Sequence, residues 1–139
     1  MSQLKFDATE VGAEIPSFTT EPISRLTLAL YAGASGDHNP IHVDIDVAKK
    51  FGMEDVFAHG MLNMAYLGRV LTNWVSQKDI RQYGVRFASI IQVHDRITCS
   101  GKVVEKYEEN GEKLARLDLV ASNQDGEVKL VGQAVVALS

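Results

Sequence analysis

Residues 37–44 hold the densest group of titratable side chains in the chain, and their types suit proton transfer. The segment reads Asp37-His-Asn-Pro-Ile-His-Val-Asp44. A carboxylate and an imidazole on one loop can together hold a water molecule, one removing its proton and the other returning a proton to a substrate. Pro40 would fix the loop so that Asp37 and His42 converge, and partial burial would move both pKa values toward neutrality. The segment is therefore a candidate acid/base site.

The same residues are also typical of a plain turn. Asp37 can accept backbone N–H groups, Asn39-Pro40 can form the turn, and Asp44 can cap the helix that follows. This interpretation explains every polar residue except His42, which has an apolar residue on each side. A single histidine in such a position is more often a satisfied core residue than a catalyst.

A metal site is the third interpretation of this segment. His38 and His42 have the i, i+4 spacing that aligns two imidazoles only on a helix. Pro40 lies between them and disfavours a helix there. A third ligand is not evident nearby in the sequence, so we predict no metal site.

A second candidate feature is Ala58-His-Gly-Met-Leu62, at the predicted start of an apolar helix. Helix N-termini present free N–H groups and a partial positive charge. Gly60 has no side chain, so a ligand can approach its N–H closely. This is a candidate oxyanion site. The alternative is an ordinary helix start in which glycine is merely tolerated.

Other nucleophile patterns are absent from the sequence. There is no Gly-x-Ser-x-Gly elbow and no phosphate-binding glycine loop. The single cysteine, Cys99, excludes an internal disulfide and a cysteine-based zinc site. We interpret Cys99 as a core thiol within a strand, and the cysteine content as that of a reducing compartment, the cytoplasm.

The elements that must position these residues divide into a helical part and a strand part. Residues 23–76 read as mostly helical. One helix is capped by Ser24 and stops near Gly36, and a short one runs from Asp44 to Gly52. A longer helix starts at His59-Gly60 and carries apolar residues to Val75 around most of its circumference, so we expect other elements to enclose it.

Residues 80–138 alternate in the manner of strands. The predicted strands are Tyr83–Phe87, 97–106, 113–122 and 128–138, with turns at 94–95, 108–111 and 123–126. A strand near 15–20 is expected to join them. The prediction is an α+β fold with an antiparallel sheet of about five strands around a long central helix, an arrangement compatible with the hotdog fold.

Length and composition limit the classes of protein that remain. The 139 residues correspond to one domain, 1–139, with 45% hydrophobic and 23% charged residues. The net charge is −4 without a basic cluster, which argues against nucleic-acid binding. Residues 1–10 contain acids and no apolar core, so we do not expect them to form a signal peptide, and no stretch of about 18 apolar residues indicates a transmembrane helix.

The segment Tyr31-Ala-Gly-Ala-Ser-Gly-Asp-His-Asn-Pro-Ile-His-Val-Asp44 resembles the hydratase motif of the MaoC-like family. This family comprises (R)-specific enoyl-thioester hydratases and (3R)-hydroxyacyl-thioester dehydratases. Residues 48–52, 58–62 and 85–87 also agree with family segments, in the same order. One stretch departs: the family often has Pro-Val-x-x-Gly-Asp after the Arg-Phe strand, and this chain has Ile90-Ile-Gln-Val-His-Asp95, in which only the Asp agrees.

The resemblance implies a hotdog fold, a homodimer with pooled sheets and the roles of site residues. It places the catalytic Asp on Asp37 and the catalytic His on His42. The Gly60 N–H would bind the thioester carbonyl oxygen. Asn39 would shape the loop, and it is predicted with His59 and Met61 to contact substrate.

The implied reaction interconverts trans-2-enoyl and (3R)-hydroxyacyl thioesters, in fatty-acid or polyhydroxyalkanoate-type metabolism. No metal or redox cofactor is expected, because coenzyme A or acyl carrier protein enters as the handle of the substrate. Two alternatives remain open. One is a hotdog acyl-thioesterase, and the other is a subunit of a heteromeric dehydratase, as in a heterodimer.

Overall fold

The computed structural model describes residues 5–139. Its elements are β1 (Glu14–Thr19), α1 (Arg25–Ser35), a 3₁₀ turn (Pro40–His42), α2 (Ile45–Lys50), α3 (Gly60–Thr72), a second 3₁₀ turn (Gln77–Asp79), β2 (Ile80–Phe87), β3 (Thr98–Glu109), β4 (Glu112–Ser122) and β5 (Val128–Leu138). The predicted division into a helical part and a strand part is confirmed.

The five strands form one antiparallel sheet in the order β1-β3-β4-β5-β2. The β3–β4 hairpin is tighter than predicted, because the strands continue until Glu109 faces Glu112. The two residues between them, Asn110 and Gly111, both have positive φ, 50° and 78°. Two such residues form the type I′ turn whose twist matches that of the flanking strands.

Helix α3 packs against strands β1 to β4, so the sheet wraps around it. Its residues Leu67, Val70 and Leu71 are fully buried. This accounts for the apolar residues around most of its circumference. The helix ends at Thr72 rather than at Val75, and the last apolar residues of the predicted helix, Trp74 and Val75, lie in the turn beyond it. The expected enclosed helix is confirmed.

The two shorter helices have the predicted caps. The Ser24 hydroxyl accepts the N–H of Thr27 at 3.0 Å, and Gly36 ends α1 with φ 80°. The Asp44 carboxylate accepts the N–H of Asp46 at 3.0 Å and so caps α2. Gly36 and the Asp44 cap therefore define the two ends of the loop that carries the candidate acid/base residues.

Residues 88–97, between β2 and β3, form an irregular segment rather than a strand. Its apolar residues Ile91 and Val93 are buried, and Gln92 makes an isolated bridge with Phe57. Across residues 5–139, no helix has the length and apolarity that crossing a membrane requires.

We expect Leu67→Ala to lower the free energy of unfolding by about 2–5 kcal/mol, because it opens a cavity between α3 and the sheet. The matched control is Leu30→Ala, the same truncation at a side chain that is 65% exposed, with an expected change within about 0.5 kcal/mol. Urea unfolding measures both. Equal effects of the two truncations would contradict the enclosed position of α3.

Candidate active site

The loop between α1 and α2 is built by local side-chain hydrogen bonds. Asp37 Oδ1 accepts the N–H of Asn39 at 3.3 Å, and Asn39 Oδ1 accepts the N–H of Ile41 at 3.2 Å. Pro40 begins the 3₁₀ turn that these bonds introduce. The turn chemistry expected from the sequence is therefore present. It does not exclude a catalytic role, because the turn also determines where Asp37 and His42 lie.

His42 is buried and held in one ring orientation. Its Nδ1 lies 2.7 Å from the carbonyl oxygen of Phe57, and its ring packs edge-on against the Phe57 ring. Because a carbonyl oxygen can only accept, Nδ1 carries the hydrogen of the neutral imidazole. Nε2 is then the nitrogen that can accept a proton.

His59 lies directly against His42. The two imidazoles stack with centroids 3.9 Å apart and an interplanar angle of 28°. His59 Nε2 donates to the carbonyl oxygen of Asp37 at 3.2 Å, and the Tyr31 ring contacts the imidazole edge-on. Burial, and then the neighbouring His42, lower the pKa of His59 below its ordinary value. His59 is thus a neutral packing partner of His42.

Asp37, His42 and His59 form one cluster. One carboxylate oxygen and one nitrogen from each ring all lie within 4.8 Å of one another. The convergence of Asp37 and His42 is therefore present, and His59 is a third potential metal ligand that local sequence did not indicate. His38, paired with His42 by spacing, is exposed and does not belong to the cluster.

The N-terminus of α3 faces the same region. His59 is its N-cap residue, but its side chain makes no capping hydrogen bond. The Asn63 amide donates to the His59 carbonyl at 2.9 Å. Within residues 5–139, His59 Nδ1 and Asn63 Oδ1 are buried and have no hydrogen-bond partner. Because no side chain caps α3, its first N–H groups keep the partial positive charge of a helix start.

A cavity of about 330 Å³ connects His42 to this helix start. Its wall is mainly apolar and is formed by His42, Phe57, Ala58, Gly60, Asn63, residues 87–91 and Leu130. A Cβ added at position 60 would lie 2.9 Å from Cε1 of Phe87, so any other residue there would require the Phe87 ring to move. The site thus combines the Asp37–His42 cluster, an apolar cavity that His42 lines and the backbone N–H groups of a helix start.

Of the predicted site residues, only His42 and Gly60 belong to the cavity wall, and Asp37 is exposed and reaches the cavity only through its cluster with His42. Asn39 is exposed and serves the turn, and His59 lies behind His42. The Met61 side chain is 55% exposed and is not part of the wall. Cys99 is fully buried, and burial raises its pKa to about 12, so its interpretation as a core thiol is confirmed.

Sequence reasoning missed Asn63, Phe57 and Ile91. Asn63 had a signal, since it interrupts an apolar helix. Phe57 contributes a backbone carbonyl, which no side-chain pattern reveals. Ile91 reaches the wall because the segment after β2 leaves the sheet.

Comparisons with known proteins give consistent results. The family described as MaoC like domain matches residues 7–124. The beta subunit of fatty acid synthase from Saccharomyces cerevisiae is 28% identical over 125 residues, which are 88% of this chain and 6% of that protein. 3-Hydroxyacyl-thioester dehydratase X from Mycobacterium tuberculosis is 48% identical over 59 residues, 42% of this chain and 20% of that protein. The chain therefore spans only a small part of these relatives.

Among solved structures, R-hydratase PhaJ1 from Pseudomonas aeruginosa superposes with a TM-score of 0.85 at 25% identity. The superposition covers 98% of this chain and 86% of that one. The predicted fold, an antiparallel five-stranded sheet around a central helix in the hotdog arrangement, is confirmed.

We expect the His59 imidazole to titrate below its ordinary value of 6.5, because burial disfavours its charged form. His59 therefore binds a proton more readily in the unfolded chain than in the folded chain. The stabilising contribution of the neutral His59 is thus complete at pH values above its ordinary pKa of 6.5 and is lost as the pH falls below that value. Titration by ¹⁵N NMR of labelled histidine measures the midpoint directly. A midpoint above the ordinary value would contradict the buried, neutral role of His59.

Proposed function

Because the chain belongs to the MaoC-like domain family, we propose that it is an (R)-specific hydratase and dehydratase, a hydro-lyase that interconverts trans-2-enoyl and (3R)-hydroxyacyl thioesters. The observation that carries this proposal is the convergence of Asp37 and His42 beside a cavity that ends at the N-terminus of α3. The names of the relatives, an R-hydratase and a hydroxyacyl-thioester dehydratase, support the same reaction.

The N-terminus of α3 supplies the electrostatic part of the mechanism. An enoyl thioester is electrophilic at C3, and negative charge develops on the thioester oxygen when water adds there. The Gly60 N–H at the helix start meets that charge more strongly than it meets the neutral carbonyl. Stronger binding of the transition state than of the ground state is what accelerates the reaction.

Asp37 and His42 supply the proton transfers. A water held between the carboxylate and His42 Nε2 gives a proton to the Asp37–His42 pair as its oxygen attacks C3, and the pair returns a proton to C2. We assign Asp37 as the leading base, because it is the exposed member of the cluster and is therefore open to the attacking water. His42 orients the water through Nε2, which the Phe57 contact leaves available. Dehydration uses the same groups in reverse.

The other predicted contacts are assigned from their positions. Asn39 shapes the turn that carries the pair, and His59 keeps the His42 ring in place by stacking on it. Met61 is exposed at the first turn of α3 and is assigned to the handle of the substrate. The handle is coenzyme A or acyl carrier protein, and the acyl chain occupies the apolar cavity.

No metal or redox cofactor takes part in this proposal, because proton transfer and the helix start together account for the chemistry. The potential ligand set Asp37, His42 and His59 is used for acid/base work instead. We place the protein in the cytoplasm on the basis of its single cysteine.

We also propose a dimer that completes the site. Strand β2 is an edge of the sheet, and its last residue, Phe87, is 50% exposed although it lines the cavity. An unpaired edge strand beside exposed apolar side chains favours association with a second copy or with a related chain. A homodimer is the simpler assignment, and a heterodimer with a related subunit is the alternative.

We expect Asp37→Asn and His42→Ala each to lower kcat for hydration of crotonyl-coenzyme A by about 100-fold or more, since each removes one partner of the proton transfer. Loss of the enoyl absorbance measures the rate, and circular dichroism checks folding. The matched controls are Asp46→Asn and His38→Ala, which make the same changes at exposed neighbours outside the cluster. Both should retain nearly full activity.

Two results would overturn the assignment. Near-normal rates in either Asp37→Asn or His42→Ala would remove the pair from the mechanism. Release of free thiol without loss of the enoyl signal would instead establish an acyl-thioesterase.

Light scattering at micromolar concentration should give the mass of two chains, because association would bury the unpaired edge strand and the exposed Phe87 ring. A single-chain mass in an active preparation would contradict the dimer. Activity that appears only after a related subunit is added would favour the heterodimer.

A further inference from the structure

A buried ion pair lies outside the candidate active site. Lys129, on β5, is 2% exposed, and Asp95, which the sequence placed in a simple turn, is 6% exposed. Lys129 Nζ lies 3.6 Å from Asp95 Oδ2. It also contacts the Glu127 carboxylate, and this contact lowers the pKa of Glu127.

The pair binds the backbone of the segment after β2 at two points. Lys129 Nζ donates to the carbonyl oxygen of Ile90 at 2.6 Å, and Asp95 Oδ2 accepts the N–H of Gln92 at 2.9 Å. Asp95 Oδ1 accepts from Gln124 at 3.2 Å. Burying two charges costs desolvation free energy, and an apolar pair of similar volume often stabilises a fold at least equally. The distinctive consequence of this pair is therefore the position of residues 90–92.

The same segment is hydrogen-bonded to the residues that hold His42. The Ile91 carbonyl accepts the N–H of Ala58 at 2.9 Å, and Gln92 bridges to Phe57. The Phe57 carbonyl then accepts from His42 Nδ1. A continuous series of hydrogen bonds thus leads from the buried pair to the imidazole.

The segment also forms part of the cavity wall, through Ser89, Ile90 and Ile91. Residues 88–97 contain neither proline nor glycine. Those two residue types restrict or direct a backbone locally. In this chain, the side chains of Lys129 and Asp95 hold the backbone instead.

We propose that Lys129 and Asp95 are positioning residues, which fix the tautomer and orientation of His42 and the place of the apolar wall through residues 90–92 and 57–58. The catalytic consequence rests on the proposed hydratase function. The consequence for the His42 tautomer does not.

The test uses Lys129→Met, which keeps the length of the side chain without its charge, and Asp95→Asn, which keeps its shape. The first control, Lys102→Met, makes the same Lys-to-Met change at an exposed position on β3. Val103→Ala is a second control, because it truncates a buried residue on β3 that is not part of this series of bonds.

Two readouts are measured on the intact protein. In ¹⁵N-histidine spectra, wild type and both controls should show His42 in the Nδ1–H tautomer, while Lys129→Met and Asp95→Asn should show both tautomers. For hydration, the two variants should lose about 10- to 100-fold in kcat, as expected for a misplaced catalytic group. KM should rise for long enoyl chains more than for crotonyl-coenzyme A, since the wall has moved.

The double variant should have a kcat and a KM close to those of either single variant, because both residues act on one segment. The proposal is overturned if His42 keeps its tautomer in both variants, or if their kcat and KM match those of Val103→Ala at equal loss of stability. If wild type proves inactive as a hydratase, the proposed function fails, and the tautomer measurement still decides the positioning role.

Discussion

The hydrogen bond from His42 Nδ1 to the carbonyl of Phe57 joins the two parts of the site. His42 belongs to the turn between α1 and α2, and Phe57 belongs to the strand-like segment that leads into α3. Without this bond, the imidazole could rotate, and Nε2 would have no fixed direction. With it, the proposed acid/base pair keeps a fixed position relative to the start of α3. The proposed mechanism requires that relation, because attack at C3 and charge on the thioester oxygen occur together.

Two interpretations that the sequence offered as alternatives prove to be compatible. The bonds from Asn39 and Asp37 that make the turn are the same bonds that bring Asp37 toward His42. Proline then limits the conformations available to the loop. A turn with several side-chain bonds is rigid, and rigidity is what a proton-transfer pair needs. The presence of ordinary turn chemistry therefore did not weaken the proposal of a catalytic site.

Local patterns predicted the parts of the molecule that depend on near neighbours. The caps Ser24 and Asp44, the glycine stops and the alternating strands follow from rules that act over a few residues. The enclosed helix could also be predicted, since apolar residues around its circumference require cover. The β3–β4 hairpin extends beyond its predicted ends, at residues 107–109 and Glu112, because these mostly charged residues are held by pairing rather than by propensity.

The sequence could not show contacts made across long separations. His59 was assigned to the helix start, but its stacking on His42 depends on how the loop and α3 meet. Asp95 was predicted in a turn and Lys129 in a strand, and no local pattern pairs the two side chains. Their burial arises only when the segment after β2 folds beside β5. Backbone partners such as the Phe57 carbonyl have no side-chain signature at all.

The state of Cys99 has a practical consequence for spectroscopy. Burial keeps it protonated at neutral pH, with a pKa of about 12, and only the thiolate form of a cysteine reacts readily with electrophilic thiol reagents. It is also the only cysteine in the chain. A cysteine introduced at an exposed position would therefore be labelled selectively by a maleimide dye, and the native thiol would not need to be removed first.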